Sequence, residues 1–132
     1  MIALDTSVLA RYILNDTTAE AHIAAQIISE NECVLSWSVL IELCWVLESS
    51  AGLPKADVVD ILNTLAQSKT IILPNAAAVN WVIHRYAAGA DFADMVHLIS
   101  TVDGVAEFVT FDRKLARQAG QEPPLPIRTL RA

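Results

Sequence analysis

At 132 residues the chain fits one domain, and with 54% apolar and 18% charged residues it is not disordered. A domain of this length buries roughly two-thirds of the surface its unfolded form exposes, so it needs neither disulfides nor a structural metal to hold a core. The formal net charge of −6 excludes a generic nucleic-acid coat, which would be basic.

Short apolar runs alternate with helical patterns along residues 1–132, which predicts an α/β fold with a mostly parallel sheet. Ile2-Ala3-Leu4 reads as the first strand and stops at Asp5. Thr17 and Glu20 form a capping box that opens a helix with Ile23, Ala24, Ile27 and Ile28 on its apolar face. Cys33-Val34-Leu35 is a second strand. Ser36 or Ser38 caps the next helix, which runs to about Ser50 and is ended by Gly52.

Pro54 suits a helix start, and Val58, Ile61, Leu62, Leu65 and Ala66 follow at the spacing of one buried face. Thr70–Leu73 is a third strand stopped by Pro74. Asn75 caps a helix with the stripe Val79, Val82, Ile83 and Tyr86, ended by Gly89. Asp91 opens another helix through about Val102, and Phe108–Phe111 is a strand. Asp112 starts a short helix closed by Gly120, and Ile127 sits in a last edge strand within a proline-rich tail.

The apolar excess is not a membrane span. Trp37–Trp45 is interrupted by Ser38 and Glu42, and Pro74–Ala90 holds Asn, His and Arg, so neither approaches the ~20 apolar residues a spanning helix needs. Met1–Asp5 has no basic leader, so a cytoplasmic protein is expected. The excess instead suits a subunit or partner interface. Cys33 and Cys44 lie in apolar segments at a spacing unlike any zinc motif and read as buried, reduced thiols.

The chemistry is carried by acids. Asp5 and Asp112 each follow a strand, and in open α/β sheets ligands sit beyond the carboxyl ends of the strands. Each is equally placed to cap the helix that follows. Glu42 is the only charge in Trp37–Leu47, a helix apolar nearly all round and therefore expected to be buried. No Lys or Arg occurs between Arg11 and Lys55 to pair with it, so it needs a cation or a proton. Asp94 lies one turn inside its helix, with Asp91 as the N-cap.

If Asp5, Glu42, Asp94 and Asp112 converge at about 5 Å, each pair repels by roughly 3 kcal/mol at an effective dielectric of about 20. Such a group requires cations. Oxygen-only ligands select Mg²⁺ or Mn²⁺ over zinc. A site of this kind suits phosphodiester hydrolysis, and the cations it binds offset part of the acidic balance.

Four motifs stand in order: Ile2-Ala3-Leu4-Asp5-Thr6-Ser7-Val8-Leu9, Ser38-Val39-Leu40-Ile41-Glu42-Leu43, Asp91-Phe92-Ala93-Asp94-Met95-Val96-His97 and Val109-Thr110-Phe111-Asp112-Arg113-Lys114-Leu115. With them the chain resembles a PIN domain and, within that class, a VapC-type toxin of a bacterial toxin–antitoxin pair. The resemblance implies a three-layer α/β/α fold with a central parallel sheet, and an endoribonuclease using Mg²⁺ or Mn²⁺. By it Asp5, Glu42 and Asp94 are the metal ligands and catalytic acids, and Asp112 completes the cluster. Ser7 and Thr110 match small polar positions that orient the site, and Asp91 is placed beside it. A homodimer and inhibition by a cognate antitoxin are also implied. Met95 departs from the family's more usual Ala.

Arg113 and Lys114, which follow Asp112, are candidates to grip the RNA backbone, as are Arg11 and Arg85; each also suits a solvated surface. His97, one turn after Asp94, faces either the site or a helix neighbour, and His22 and His84 carry no partner signal. Trp37, Trp45 and Trp81 read as core. Two other readings remain. One is a haloacid-dehalogenase-type phosphatase, which would want an acid where Ser7 stands. The other is a catalytically silent PIN-like module whose acids only cap helices.

Overall fold

A computed structural model describes residues 1–132. Strands β1 (Ile2–Ala3), β2 (Cys33–Val34) and β3 (Ile71–Ile72) pair side by side in that order. Strands β4 (Phe108–Thr110) and β5 (Ile127–Thr129) form a second pair. Every pairing is parallel, with Ile2 opposite Cys33, Cys33 opposite Ile71 and Phe108 opposite Ile127. Parallel neighbours require crossovers, and helices supply them.

The helices are α1 (Thr6–Leu14), α2 (Ala19–Glu30), α3 (Trp37–Trp45), α4 (Lys55–Gln67), α5 (Ala76–Ala87), α6 (Phe92–Ile99) and α7 (Leu115–Ala119). Side-chain caps fix most starts. Asp5 caps α1, Ser36 caps α3, Asn75 caps α5 and Asp91 caps α6, each accepting a backbone N–H of the first turn. Helix α1 packs on α2 and α3, α3 on α6, and α5 on both α4 and α6. One continuous core results, with Leu9, Leu35, Leu43, Leu47, Met95 and Leu98 fully buried. Each such side chain contributes roughly 1.5–3 kcal/mol. The thiols of Cys33 and Cys44 are free and buried.

Three local expectations are corrected. Thr18, not Thr17, caps α2 through the N–H of Ala21; Thr17 has φ 59°, and Glu20 bonds Arg11 instead of closing a capping box. Helix α2 buries Ala21, Ala24 and Ile28 but leaves Ile23 and Ile27 exposed, so its apolar face is wider than the core it covers. The long third helix is α only to Trp45 and continues as a π turn over Val46–Ser50. The stripe of α5 is buried as expected. No helix is long and apolar enough to cross a membrane.

Candidate active site

Asp5 occupies the switch from β1 to α1, where its backbone is still extended at φ −78°, ψ 155°. Its Oδ2 accepts the Ser7 hydroxyl at 2.6 Å and the Ser7 N–H at 3.4 Å. The Ser7 hydroxyl, more than any other group, holds this exposed carboxyl below its ordinary range. Asp5 is thus both a cap and a charged group open to solvent.

Glu42 lines the same cavity as Asp5 and Ser7, a groove of about 940 Å³ walled by α1, α2 and α3. The expectation that Glu42 is buried does not hold. Helix α3 buries Leu40, Leu43 and Cys44 against its neighbours, while Ser38, Glu42 and Trp45, at i, i+4 and i+7, share its solvent face. Trp45 is 61% exposed and so is not a core residue. An apolar sequence all round the helix therefore marks here a face that is uncovered, not one that is buried.

Asp94 lies in the first turn of α6, half-buried, with its N–H bonded to Asp91 Oδ1 at 2.9 Å. Its carboxyl is pushed up, first by desolvation, then by the charges of Asp91 and Asp112; His97 opposes the shift. The charges of Asp91 and Asp112 thus act on Asp94, while His97 is exposed on the same helix. Asp112 is fixed from both sides: its N–H donates to Thr110 Oγ1 at 2.9 Å, and its Oδ1 accepts the Lys114 N–H at 2.8 Å. Thr110 and Ser7 therefore each bond an acid of the expected site.

Asp5 and Glu42 line one cavity, and Asp94 feels the charges of Asp91 and Asp112. No three His, Cys, Asp or Glu side chains approach closely enough to hold one ion. The donor chemistry, carboxylate and hydroxyl oxygen alone, fits Mg²⁺ or Mn²⁺. The single tight cluster expected from the sequence is not formed, so the fit is one of donor type and not of spacing. Asp91 caps α6 through Oδ1, whereas Asp112 does not start α7 as expected: that helix begins at Leu115 with Lys114 at its N-cap and no side-chain cap, and Asp112 Oδ1 closes a turn on the Lys114 N–H instead. Capping and ligation thus compete for one oxygen, not both.

The basic candidates separate. Arg11 is committed to Asp16 at 2.8 Å and Glu20 at 2.9 Å, joining α1 to α2 at the groove rim. Arg85 is half-buried and donates from Nε to the Gln118 carbonyl at 2.8 Å. Both carry structural bonds rather than standing free for RNA. Arg113 and Lys114 are exposed beside Asp112.

Sequence reasoning missed the supports behind α6. Gln118 Oε1 accepts the Asp91 N–H, and the buried Tyr86 donates its hydroxyl to Glu48 and packs edge-on against Phe92 at 5.8 Å. Lys55 lies 4.7 Å over the Tyr86 ring and bonds the Tyr86 carbonyl. Burial, with the Glu48 bond, raises the Tyr86 hydroxyl, and burial pushes the Cys44 thiol up to about 11, which makes it a packing group and no nucleophile. Nothing in the local sequence around Glu48 or Gln118 signals these contacts, which join residues 27 to 38 positions apart.

The profile of the PIN domain family matches residues 2–121. The chain belongs to the PIN-domain family. This match covers all four acidic motifs and supersedes the haloacid-dehalogenase alternative. PIN domains are in general nucleases, typically using divalent metals, and the parallel strands with seven helices agree with the three-layer α/β/α architecture. No curated protein and no solved structure matches this PIN domain significantly.

Proposed function

We propose that this PIN domain is an endoribonuclease dependent on Mg²⁺ or Mn²⁺, acting in the cytoplasm as the toxin of a VapC-type toxin–antitoxin pair. The observation that carries the reading is the pairing of Asp5 and Glu42, 37 positions apart in the chain, on the wall of one cavity in a PIN domain. Asp5, Glu42 and Asp94 would hold the ion, with Asp112 completing the set, once their side chains draw together around it. The ion, when bound, activates water and stabilises the oxygens of the scissile phosphodiester. Ser7 keeps Asp5 ionised, Asp91 and Thr110 fix the backbone of Asp94 and Asp112, and the raised carboxyl of Asp94 keeps a proton at higher pH than Asp5 does.

The antitoxin and dimer readings are supported by uncovered apolar surface. The groove that holds Asp5 and Glu42 is also lined by Ile23, Ile27, Leu14 and Val46, and suits an apolar segment carrying a basic residue. Trp45 offers a further apolar face for a second copy of the chain.

A second reading, a silent partner-binding module, is favoured by the capping bonds of Asp5 and Asp91 and by the lack of any three acids close enough to hold one ion. Two experiments decide. Isothermal titration with Mn²⁺ is expected to give a saturable heat that Glu42→Gln weakens; a protein that binds none is a module. Induced expression is expected to arrest growth and leave RNA fragments for the parent and not for Asp5→Ala. Equal harmlessness of the two overturns the nuclease reading.

A further inference from the structure

We propose that Arg113, Thr129 and Arg131 form a phosphate subsite that grips the backbone of a single RNA strand beside the acids; the identity of its ligand rests on the nuclease reading. These three residues alone line a cavity of about 340 Å³, with no acid and no hydrophobic residue in its wall. Arg11 and Arg128 are both paired with acids, whereas Arg113 and Arg131 stand in no ion pair. Two unneutralised guanidinium forks and a hydroxyl around one space are donors without an acceptor. Phosphate supplies the matching set, and each fork engages it through two parallel N–H bonds.

The backbone presents this group on ordered chain. Strands β4 and β5 run parallel with Thr110 opposite Thr129, so their carboxyl ends fall on one edge. The Leu130 N–H continues the pairing to the Thr110 carbonyl at 2.7 Å and fixes the residue before Arg131. The turn from Asp112 to Lys114 closes over Arg113 through the Asp112 Oδ1 bond. Arg113 is thereby joined directly to an acid of the active site, in a chain whose net charge of −6 otherwise repels a polyanion.

A free anion would need nothing more, but Phe111, 68% exposed, stands next to Asp112 on the same segment. Sites for single strands combine a basic track with an aromatic face on which a base stacks. That ring favours a nucleic acid over inorganic phosphate. Thr129 and Arg131 lie outside residues 2–121, the part that matches the PIN profile.

The test uses the intact chain in EDTA. End-labelled single-stranded RNA is titrated by anisotropy at several salt concentrations, and inorganic phosphate is titrated against the arginine Nε–H resonances. Arg113→Gln, Arg131→Gln and the double variant are expected to bind RNA about tenfold more weakly or worse. The salt slope should flatten by about 0.7 for the phosphate lost. If both arginines hold one phosphate, the double variant loses little more than either single one. Phosphate should shift the resonances of Arg113 and Arg131, and RNA should compete with it. Phe111→Ala should weaken RNA by about fivefold or more and leave phosphate unaffected.

Phosphate that binds without competing with RNA assigns the cavity to free anions and overturns the proposal. Unmoved arginine signals with both ligands overturn it outright. A protein that cuts no RNA yet binds it through these arginines supports the subsite and removes the nuclease reading. One that cuts RNA with an unchanged salt slope in the double variant keeps the nuclease and removes the subsite.

Discussion

The side-chain carbonyl of Gln118 accepts the backbone N–H of Asp91 at 3.3 Å, tying α7 to the residue that caps the helix of Asp94. Arg85 holds the other end of this link by donating from Nε to the backbone carbonyl of Gln118. Arg85→Ala is expected to cost about 1.5–3 kcal/mol, as the loss of a charge-assisted bond does. It should also speed amide exchange at Asp94, read by hydrogen–deuterium exchange. Unchanged protection at Asp94 would show that α6 does not depend on the link.

Gly120 makes room for that arginine. It has φ +85°, and a Cβ there would lie 2.9 Å from the Arg85 guanidinium carbon. Gly120→Ala combines backbone strain with this clash and should lower unfolding stability by about 1–3 kcal/mol in denaturant titration. A neutral result would mean that the guanidinium swings away freely.

Asp94 and Asp5 make opposite contributions to the pH dependence of stability. The folded carboxyl of Asp94 is raised above 3.8, so the stability it gives is full below that value and is lost as pH rises through the folded pKa. Asp5 is lowered, and its contribution is present above 3.8 and lost as pH falls through the folded pKa. In EDTA, Asp94→Asn should therefore melt higher than the parent at neutral pH and lose that advantage in acid. Saturating Mn²⁺ should reverse the order, stabilising the parent by about 2.7 kcal/mol at a hundredfold excess over Kd. A parent that melts alike with and without Mn²⁺ would contradict the metal assignment.

Ser7→Ala removes the 2.6 Å bond that depresses Asp5. If the protein cleaves RNA as proposed, the acid limb of its pH profile should move to higher pH, with the plateau rate less affected than the limb. An unmoved limb would assign it to another group.

Ile23→Glu places a charge in the apolar groove of α1, α2 and α3. If the proposed antitoxin seats in this groove, this variant should resist neutralisation by a co-expressed antitoxin that silences the parent, scored as colony growth. Equal silencing would move the partner to another face.

Most of this fold is legible because local chemistry decides it. Asn75 and Asp91 cap where expected, the stripe Val79, Val82, Ile83 and Tyr86 is buried as a unit, and Asp5 and Asp112 stand at strand ends. The two-residue strands blur at their ends, and α6 stops at Ile99 where periodicity alone carries it to Val102. Glu42 departs from its expected burial for a physical reason: composition tells how apolar a helix is, not which face its neighbours reach. The Arg85, Gln118 and Glu48 contacts were invisible because they join distant segments with no local pattern.

Trp45 gives the molecule a native optical reporter. Its indole stands in water one turn beyond Glu42, while Trp37 and Trp81 are half-covered. Emission accessible to an aqueous quencher should come chiefly from this ring. A second subunit seated over it would blue-shift and shield that signal, so self-association is readable in unlabelled protein.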